Sequence, residues 1–202
     1  MRGRFIVFEG PDGSGKTTQF ERFVARCRAA GLDVCEVREP GGTAIGERIR
    51  EVLLDTRSSM SPRCEMLLYM ASRAQLVEER IGPALASGEV VLADRFLAST
   101  LAYQGAAGVS EEDIRAVARA ACGAAAPDLT LIYDVDDPTA EARMGPDRDR
   151  IERRGADYRA RVRQRYRALA REDPAGFALI DASADADAVE RRTLEVIAGR
   201  LG

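Results

Sequence analysis

One octet constrains the fold of this chain more than any other feature. Residues 10–17, Gly-Pro-Asp-Gly-Ser-Gly-Lys-Thr, match the pattern G-x-x-x-x-G-K-[ST] and lie between an apolar run and an amphipathic helical pattern. In such a loop, glycines let successive backbone N–H groups point at phosphate oxygens, and the following helix adds partial positive charge at its N-terminus. A plain Gly-rich turn is the alternative, but the flanking patterns favour a phosphate-binding loop between a strand and a helix.

The basic residue of that octet is chemically singular. Lys16 is the only lysine among the 30 Lys and Arg residues, and the chain has no histidine. A lysine ammonium is a compact charge that can reach between phosphates, and the Thr17 hydroxyl can ligate Mg²⁺. Without histidine, Ser-His and Cys-His nucleophile schemes are excluded. The chemistry must therefore use carboxylates, arginines, Lys16 and a metal ion.

Length and charge narrow the class of protein further. A chain of 202 residues suits one α/β domain, residues 1–202, with a sizeable core. The net charge of −3 argues against a nucleic-acid partner. No apolar stretch approaches the ~18 residues of a membrane helix, and no signal peptide precedes the first strand. We expect a cytoplasmic protein with no membrane partner.

The cysteines give no sign of a metal site. Cys27, Cys35, Cys64 and Cys122 form no C-x-x-C pair. A zinc site is therefore not expected. Four small side chains buried in a reducing compartment are the better prediction.

Five short apolar runs alternate with helical patterns. They are residues 5–9, 34–37, 90–94, 129–135 and 177–181. Runs so rich in Val, Ile, Leu and Phe are typical of strands buried on both faces. Intervening helices are indicated over 64–86 and 111–122, with N-cap pairs at Ser61-Pro62 and Asp137-Pro138. The pattern predicts a five-stranded parallel sheet flanked by helices, in three layers.

Polar residues follow the predicted strands. They are Asp12, residues 38–43, Asp94-Arg95 and residues 181–183. In a parallel sheet, ligands bind beyond the carboxyl ends of the strands, so these residues are expected at one site. Asp94 suits a carboxylate that holds Mg²⁺ or its waters, with a helix N-cap as the alternative. Arg95 suits a second phosphate, with a surface salt bridge as the alternative.

Four segments together resemble one known family. Residues 94–105, D-R-F-L-A-S-T-L-A-Y-Q-G, resemble the D-R-[FYH]-x-x-S-x-x-A-Y-Q-G signature of thymidylate kinases. Residues 8–19, 38–43 and 67–75 resemble that family's F-E-G-x-[DE]-G-x-G-K-[ST]-T-Q, R-E-P-G-G-T and L-L-[FY]-x-A-x-R-A-Q, in the same order. The resemblance implies the P-loop NTPase fold of nucleoside-monophosphate kinases, a homodimer, Mg²⁺ as cofactor, ATP as donor and dTMP as acceptor.

The resemblance also implies a set of site residues. ATP would bind Gly10, Pro11, Asp12, Gly13, Ser14, Gly15, Lys16, Thr17, Thr18 and Arg143. The acceptor dTMP would bind Asp12, Glu39, Pro40, Tyr69, Arg73, Arg95, Ser99, Thr100, Tyr103 and Gln104. Thr17 and Asp94 would hold Mg²⁺ directly or through water.

Individual roles follow from the same resemblance. Asp12 would accept a hydrogen bond from the sugar 3′-hydroxyl, and Tyr103 would crowd the 2′ position. Tyr69 would stack on thymine, and Arg73, four residues later, would donate to thymine O4. By spacing alone, Arg73 is equally compatible with an exposed arginine beside a core tyrosine.

Residues 143–154 have the sequence of a short lid. Met144 to Arg148 breaks the helical pattern, and the D-R-I-E that follows resembles the family's motif just after the lid. In this fold the lid brings an arginine to the transferred phosphoryl group, and the phosphate loop here contains none. We predict Arg148 as that arginine, with Arg143 and Arg150 as alternatives. Lys16, Arg95 and Asp12 complete the predicted catalytic set.

The predicted reaction needs no general base, because the acceptor is an already ionised phosphate oxygen. Two anions must instead be held in line while cations screen their repulsion. A kinase for another pyrimidine nucleoside monophosphate is the nearest alternative. A non-catalytic, regulatory nucleotide-binding protein is the alternative from another class, although the absence of asparagine excludes the guanine-reading N-K-x-D motif.

Overall fold

A parallel sheet forms the centre of the computed structural model, which describes residues 1–145 and 149–202. Its strands are β1 (Phe5–Glu9), β2 (Val34–Arg38), β3 (Val90–Asp94), β4 (Leu129–Asp134) and β5 (Phe177–Asp181). They lie in the order β2-β3-β1-β4-β5, and each neighbouring pair is parallel. The predicted α/β fold with five parallel strands is confirmed, with β2 one residue longer and β4 one residue shorter than predicted.

Helices cover both faces of this sheet. In the described ranges they are α1 (Lys16–Ala29), α2 (Ala44–Leu54), α3 (Pro62–Leu76), α4 (Gly82–Ala86), α5 (Leu97–Ala106), α6 (Glu111–Cys122), α7 (Asp137–Arg143), α8 (Ala156–Glu172) and α9 (Ala186–Leu201). α1 and α9 pack on one face, whereas α4 and α8 contact the other and α3, α5 and α6 pack beside them. The three predicted layers are therefore present.

Alternate residues of each strand enter different cores. Phe5 and Val7 of β1 pack into the core beneath α3, α5 and α8, while Ile6 and Phe8 pack into the core beneath α1 and α9. All four side chains are fully buried. Burying a side chain of this size stabilises the fold by about 1.5–3 kcal/mol. Burial on both faces is the reason that the strands read as nearly continuous apolar runs.

The predicted helix over 64–86 is interrupted. α3 ends at Leu76, a π-helical turn spans Val77–Ile81, and α4 follows. Gly82 N donates to Val77 O, five residues earlier. Pro83 comes next and has no N–H to continue the regular ladder, which accounts for the break.

Two local predictions were wrong by small amounts. Asp136, not Asp137, caps α7 and accepts from Thr139 N at 2.8 Å, so Pro138 lies inside the first turn. Ser61 caps α3 as predicted. Among the cysteines, Cys64 is exposed whereas the other three are buried, because position 64 lies on the outer side of the first turn of α3.

The length and composition of the helices can be compared with those of membrane-spanning helices. No helix within residues 1–145 and 149–202 is long and apolar enough to cross a membrane.

Candidate active site

The loop after β1 has a backbone that requires glycine. Gly10 and Gly13 have φ values of 146° and 77°, in the region that side chains rarely adopt. A Cβ at Gly10 would lie 2.6 Å from the Tyr133 carbonyl oxygen, and one at Gly13 would collide with the Ala140 backbone. The loop is therefore pressed against the end of β4 and against α7, with α1 starting directly behind it at Lys16.

Lys16 is buried and forms an ion pair with Asp94 at the end of β3. Burial and the nearby Arg95 lower the pKa of Lys16, and the Asp94 carboxylate acts in the opposite direction. Asp94 does not cap the next helix, because α5 begins at Leu97 after Phe96 and has no side-chain cap. The N-cap alternative for Asp94 is therefore wrong, and its carboxylate faces the phosphate loop instead.

Arg95 is held in a strained conformation that directs it at the same loop. Its φ of 74° is the one positive value among non-glycine residues in the described part of the chain. Such a conformation costs about 1–3 kcal/mol. Nη1 donates to Gly10 O at 3.1 Å and Ser99 Oγ at 3.2 Å, and Nη2 pairs with Asp12. Burial alone would lower the pKa of Arg95, but Tyr103 and Asp12 raise it well above its ordinary value.

A buried carboxylate supports this arrangement, and sequence reasoning gave it no role. Glu9 is fully buried and accepts from the backbone N–H groups of Phe96 and Ser99, both at 2.9 Å. It also accepts from Ser99 Oγ at 2.7 Å and Tyr166 OH at 2.8 Å. The signal in the sequence was the position of Glu9, a charged residue at the end of an apolar strand. Tyr166, on α8, is itself buried.

A second buried ion pair joins α3 to the segment after β2. Arg73 Nε donates to both oxygens of Glu39 at 2.9 Å, and Nη2 donates to Phe96 O at 3.1 Å and Thr100 Oγ1 at 3.0 Å. Burial raises the pKa of Glu39, with Arg73 opposing that effect. Arg73 is only 1% exposed, so the alternative of a solvent-exposed arginine is wrong. Its contact with a base stays a prediction.

Two cavities meet at the phosphate loop. The larger, about 560 Å³, is named here the loop cavity, and all predicted ATP-binding residues except Gly10 line it. The smaller, about 220 Å³, is the inner cavity, and all predicted acceptor residues except Arg73 line it. Both cavities are lined by Asp12, Lys16, Thr17, Arg95 and Glu152. The wall that the cavities share thus contains two cations, Lys16 and Arg95, beside two carboxylates, Asp12 and Glu152.

Several lining residues were given no role from the sequence. The inner cavity is also lined by Arg38, Arg50, Leu54, Asp149, Ile151 and Glu152. The backbone oxygen of Pro40 accepts from Arg50 Nη1 at 2.9 Å. Residues 149–152 belong to the D-R-I-E motif and Arg38 to R-E-P-G-G-T, so the signal was present without an assigned role.

The predicted lid arginines have different outcomes. Arg143 lines the loop cavity, and its guanidinium donates to Ala182 O at 3.0 Å. Arg150 donates to Leu53 O at 2.8 Å and pairs with Glu65 at 2.5 Å, away from the loop. Arg148 lies outside the described residues.

Oxygen ligands for Mg²⁺ are present at the junction of the cavities. Thr17 and Asp94 both line the inner cavity. Hydroxyl and carboxylate oxygens are the ligands that Mg²⁺ prefers, and this ion usually retains several waters beside one or two protein ligands. The described residues contain no group of three or more His, Cys, Asp or Glu side chains that could hold a metal ion.

Comparison with known proteins decides the family. A family model described as thymidylate kinase matches residues 8–193. The chain belongs to the thymidylate kinase family. It is 42% identical over 199 residues to the thymidylate kinase of Caldanaerobacter subterraneus subsp. tengcongensis, covering 98% of this chain and 96% of that one.

Other thymidylate kinases extend the likeness. That of Desulforudis audaxviator is 49% identical over 190 residues, covering 92% of this chain and 86% of the relative, and that of Deinococcus radiodurans is 44% identical over 203 residues, covering 98% of each. The solved thymidylate kinase of Ehrlichia chaffeensis has a TM-score of 0.81 at 30% identity, covering 98% of this chain and 100% of that one. The family, the fold class and the kinase activity predicted from the sequence are thereby confirmed.

Proposed function

We propose that this thymidylate kinase transfers the γ-phosphoryl group of Mg-ATP to dTMP, giving dTDP for dTTP synthesis. The observation that carries the proposal is the wall shared by the two cavities, where Lys16, Asp12 and Arg95 face both. A donor in the loop cavity and an acceptor in the inner cavity would place their phosphates on either side of the two cations, Lys16 and Arg95. In-line transfer requires that arrangement.

Each cavity takes one substrate in this proposal. ATP lies along the phosphate loop, with Thr18 and Arg143 at its sides. The acceptor phosphate meets Arg95, while Asp12 accepts from the sugar 3′-hydroxyl and Tyr103 crowds the 2′ position. Burial raises the pKa of Tyr103 well above its ordinary value, so its phenol stays protonated and donates to Asp12 at 3.1 Å.

The base of the acceptor lies deeper in the inner cavity. Tyr69 stacks on it, and the remaining contacts come from Glu39, Pro40, Ser99, Thr100 and Gln104, with Arg73 behind them. Buried polar groups that would be left unpaired by a wrong base are the physical source of selectivity here. The reading of thymine therefore depends on polar contacts as well as on shape.

In this proposal, catalysis depends on positive charges that screen the repulsion between the two phosphates. Lys16, Arg95 and the predicted lid arginine, Arg148, stabilise the equatorial oxygens, and no general base is needed. Thr17 and Asp94 would hold Mg²⁺, which would supply charge neutralisation at the donor phosphates. Asp94 now pairs with Lys16, so binding of the donor gives that lysine a second anionic partner.

The decisive experiment compares acceptors. ADP release is measured with dTMP, dUMP, dCMP and AMP at saturating Mg-ATP. We expect dTMP to give a kcat/KM well above the others. Equal turnover of dCMP or AMP would remove the thymidylate assignment in favour of a broader pyrimidine or general kinase, and binding of dTMP without any turnover would indicate a non-catalytic binding protein.

We further propose that the protein is a homodimer. Ile45 and Val52, seven residues apart on α2, are 44% and 49% exposed, and Leu67 on α3 is 47% exposed. α2 and α3 pack together, and exposed apolar side chains on two adjacent helices support association. Light scattering should give twice the chain mass, and Val52→Glu should shift it to one chain.

The remaining assignments are broader. We propose one domain over residues 1–202, with the phosphate loop at 10–17, the acceptor region at about 38–105 and the lid at about 143–154. The free thiols of Cys27, Cys35 and Cys122 suit a reducing compartment, in line with a cytoplasmic enzyme. The net charge of −3 favours small nucleotides over nucleic acid as partners.

A further inference from the structure

A buried carboxylate outside the cavities connects the inner cavity with the residues after the lid. Glu65 on α3 is fully buried. Its Oε1 accepts from Gln104 Nε2 at 2.8 Å, and its Oε2 accepts from Arg150 Nη2 and Arg154 Nη2, each at 2.5 Å. Gln104 lines the inner cavity, whereas the two arginines belong to residues 149–154, here named the lid root.

We propose that Glu65 is a positioning residue that couples acceptor recognition by Gln104 to the placement of the lid root. The inference rests on the proposed function, because it takes Gln104 as a contact of the acceptor base. Glu65 touches neither substrate in this proposal and acts through its three partners.

On the cavity side, Glu65 determines which end of the Gln104 amide faces inward. An ionised carboxylate can only accept, so the NH₂ group of Gln104 must point at Glu65. The amide oxygen is then left for a donor on the acceptor base. Without Glu65, the amide of Gln104 can turn over, because its two ends have similar shape and opposite hydrogen-bonding character.

On the lid side, Glu65 holds two cations of the same segment. Arg154 also donates to Tyr158 OH at 2.8 Å, and Tyr158 OH donates to Tyr103 O at 2.8 Å, next to the inner cavity. Arg150 contributes a second tie between Glu65 and the lid root. Removing one member of a buried ion pair leaves an uncompensated charge, so a change at either side of this carboxylate is felt at the other.

A double-mutant cycle tests the coupling. Gln104→Leu, Arg154→Gln and the double variant are compared by kcat/KM for dTMP at saturating Mg-ATP. Both side chains act through Glu65. We therefore expect the fold-loss of kcat/KM in the double variant to be smaller, by at least about threefold, than the product of the two single fold-losses. A double variant whose loss lies within about threefold of that product would overturn the proposal.

The matched control pairs Gln104→Leu with Arg171→Gln, an exposed position at the far end of α8. Here the two effects should multiply. Non-additivity of equal size in the control would attribute the first result to a general loosening of the enzyme and would also overturn the proposal.

Glu65→Gln distinguishes positioning from mere support of the fold. We expect the KM for dTMP to rise and kcat to fall at a temperature well below the unfolding midpoint, and the coupling between positions 104 and 154 to disappear in this background. Unchanged kinetics with a lowered Tm would leave only a structural role and overturn the proposal. If Glu65→Gln does not fold, the cycle in the wild-type background decides alone.

The outcomes also separate this inference from the proposed function. A wild-type protein that does not phosphorylate dTMP overturns both. A wild-type protein that turns over dTMP, with additive variants at positions 104 and 154, retains the function and loses the coupling.

Discussion

Arginines occur in two regions of the molecule with opposite character. Arg73 and Arg95, beside the inner cavity, have side chains 1% and 18% exposed and several hydrogen-bond partners each. Arg163, Arg165 and Arg167 on the outer side of α8 are 24%, 36% and 51% exposed. Most of the arginines that are close together in the sequence lie on α8, whereas the candidate active site uses the few beside the inner cavity. A high density of arginines along the chain is therefore typical of a solvated helix face, whereas burial distinguishes the arginines beside the inner cavity.

The physical difference is the cost of removing water from the charge. An exposed ion pair contributes about 0.2–1 kcal/mol, because water and salt screen it. Breaking a buried pair costs about 3–5 kcal/mol, because one charge is left without a partner. We therefore expect the loss of an arginine to cost little stability on α8 and much more beside the inner cavity.

The strongest challenge to this comparison comes from Arg148, which lies outside the described residues. Arg148→Ala should lower kcat by about 10³-fold or more, because a lid arginine stabilises charge that develops on the transferred phosphoryl group. The KM for dTMP should change much less. Steady-state kinetics of the alanine variants at 143, 148 and 150 measure this, and a larger kcat loss at 143 or 150 would move the catalytic role there.

Arg95→Ala sharpens the comparison at the site itself. We expect kcat/KM for dTMP to fall by about 10²–10³-fold, since a charged donor aimed at the reacting phosphate is lost. ATP binding, followed by fluorescence of a labelled analogue, should persist. Kinetics for dTMP equal to those of the wild type would contradict the acceptor-phosphate role.

The buried pair between Glu39 and Arg73 tests stability. Glu39→Ala leaves the Arg73 guanidinium buried without its carboxylate, so the free energy of unfolding should fall by about 3–5 kcal/mol. Urea denaturation monitored by circular dichroism measures the change. A loss under about 1 kcal/mol would mean that water enters and solvates Arg73, and the two regions would then differ less than their burial suggests.

The smallest effect is expected on α8. Arg163 forms a two-point pair with Asp134, at 2.7 and 3.0 Å, but it is partly exposed. Arg163→Gln should change the free energy of unfolding by about 1 kcal/mol or less and leave kcat/KM for dTMP unchanged. The same urea and ADP-release assays apply, and a tenfold loss of activity would bring α8 into the site.

Local patterns made the sheet and the phosphate loop predictable. Strands buried on both faces need continuous apolar runs, and the turn at Gly10 and Gly13 admits only glycine, so both leave a mark in the sequence. The interruption of the helix over 64–86 was less visible. Pro83 alone signalled it, and its effect depends on how the preceding turn adjusts.

Long-range pairing could not be predicted in the same way. Glu9 and Glu65 are charged residues within apolar surroundings, which marks them as unusual, but their partners lie far along the chain. Whether Arg73 faces solvent or a carboxylate was likewise open from its spacing. Which cation meets which buried carboxylate is decided by tertiary packing.

The left-handed backbone at Arg95 carries a conformational cost that is separate from the contacts of its side chain. Glycine adopts a φ of 74° without steric penalty, whereas alanine does not. The free energy of unfolding of Arg95→Gly should therefore exceed that of Arg95→Ala by about 1 kcal/mol, and the two variants should have equally reduced kcat/KM. Both variants remove the pairing of the guanidinium with Asp12, so the difference between them isolates the free energy that the backbone conformation costs.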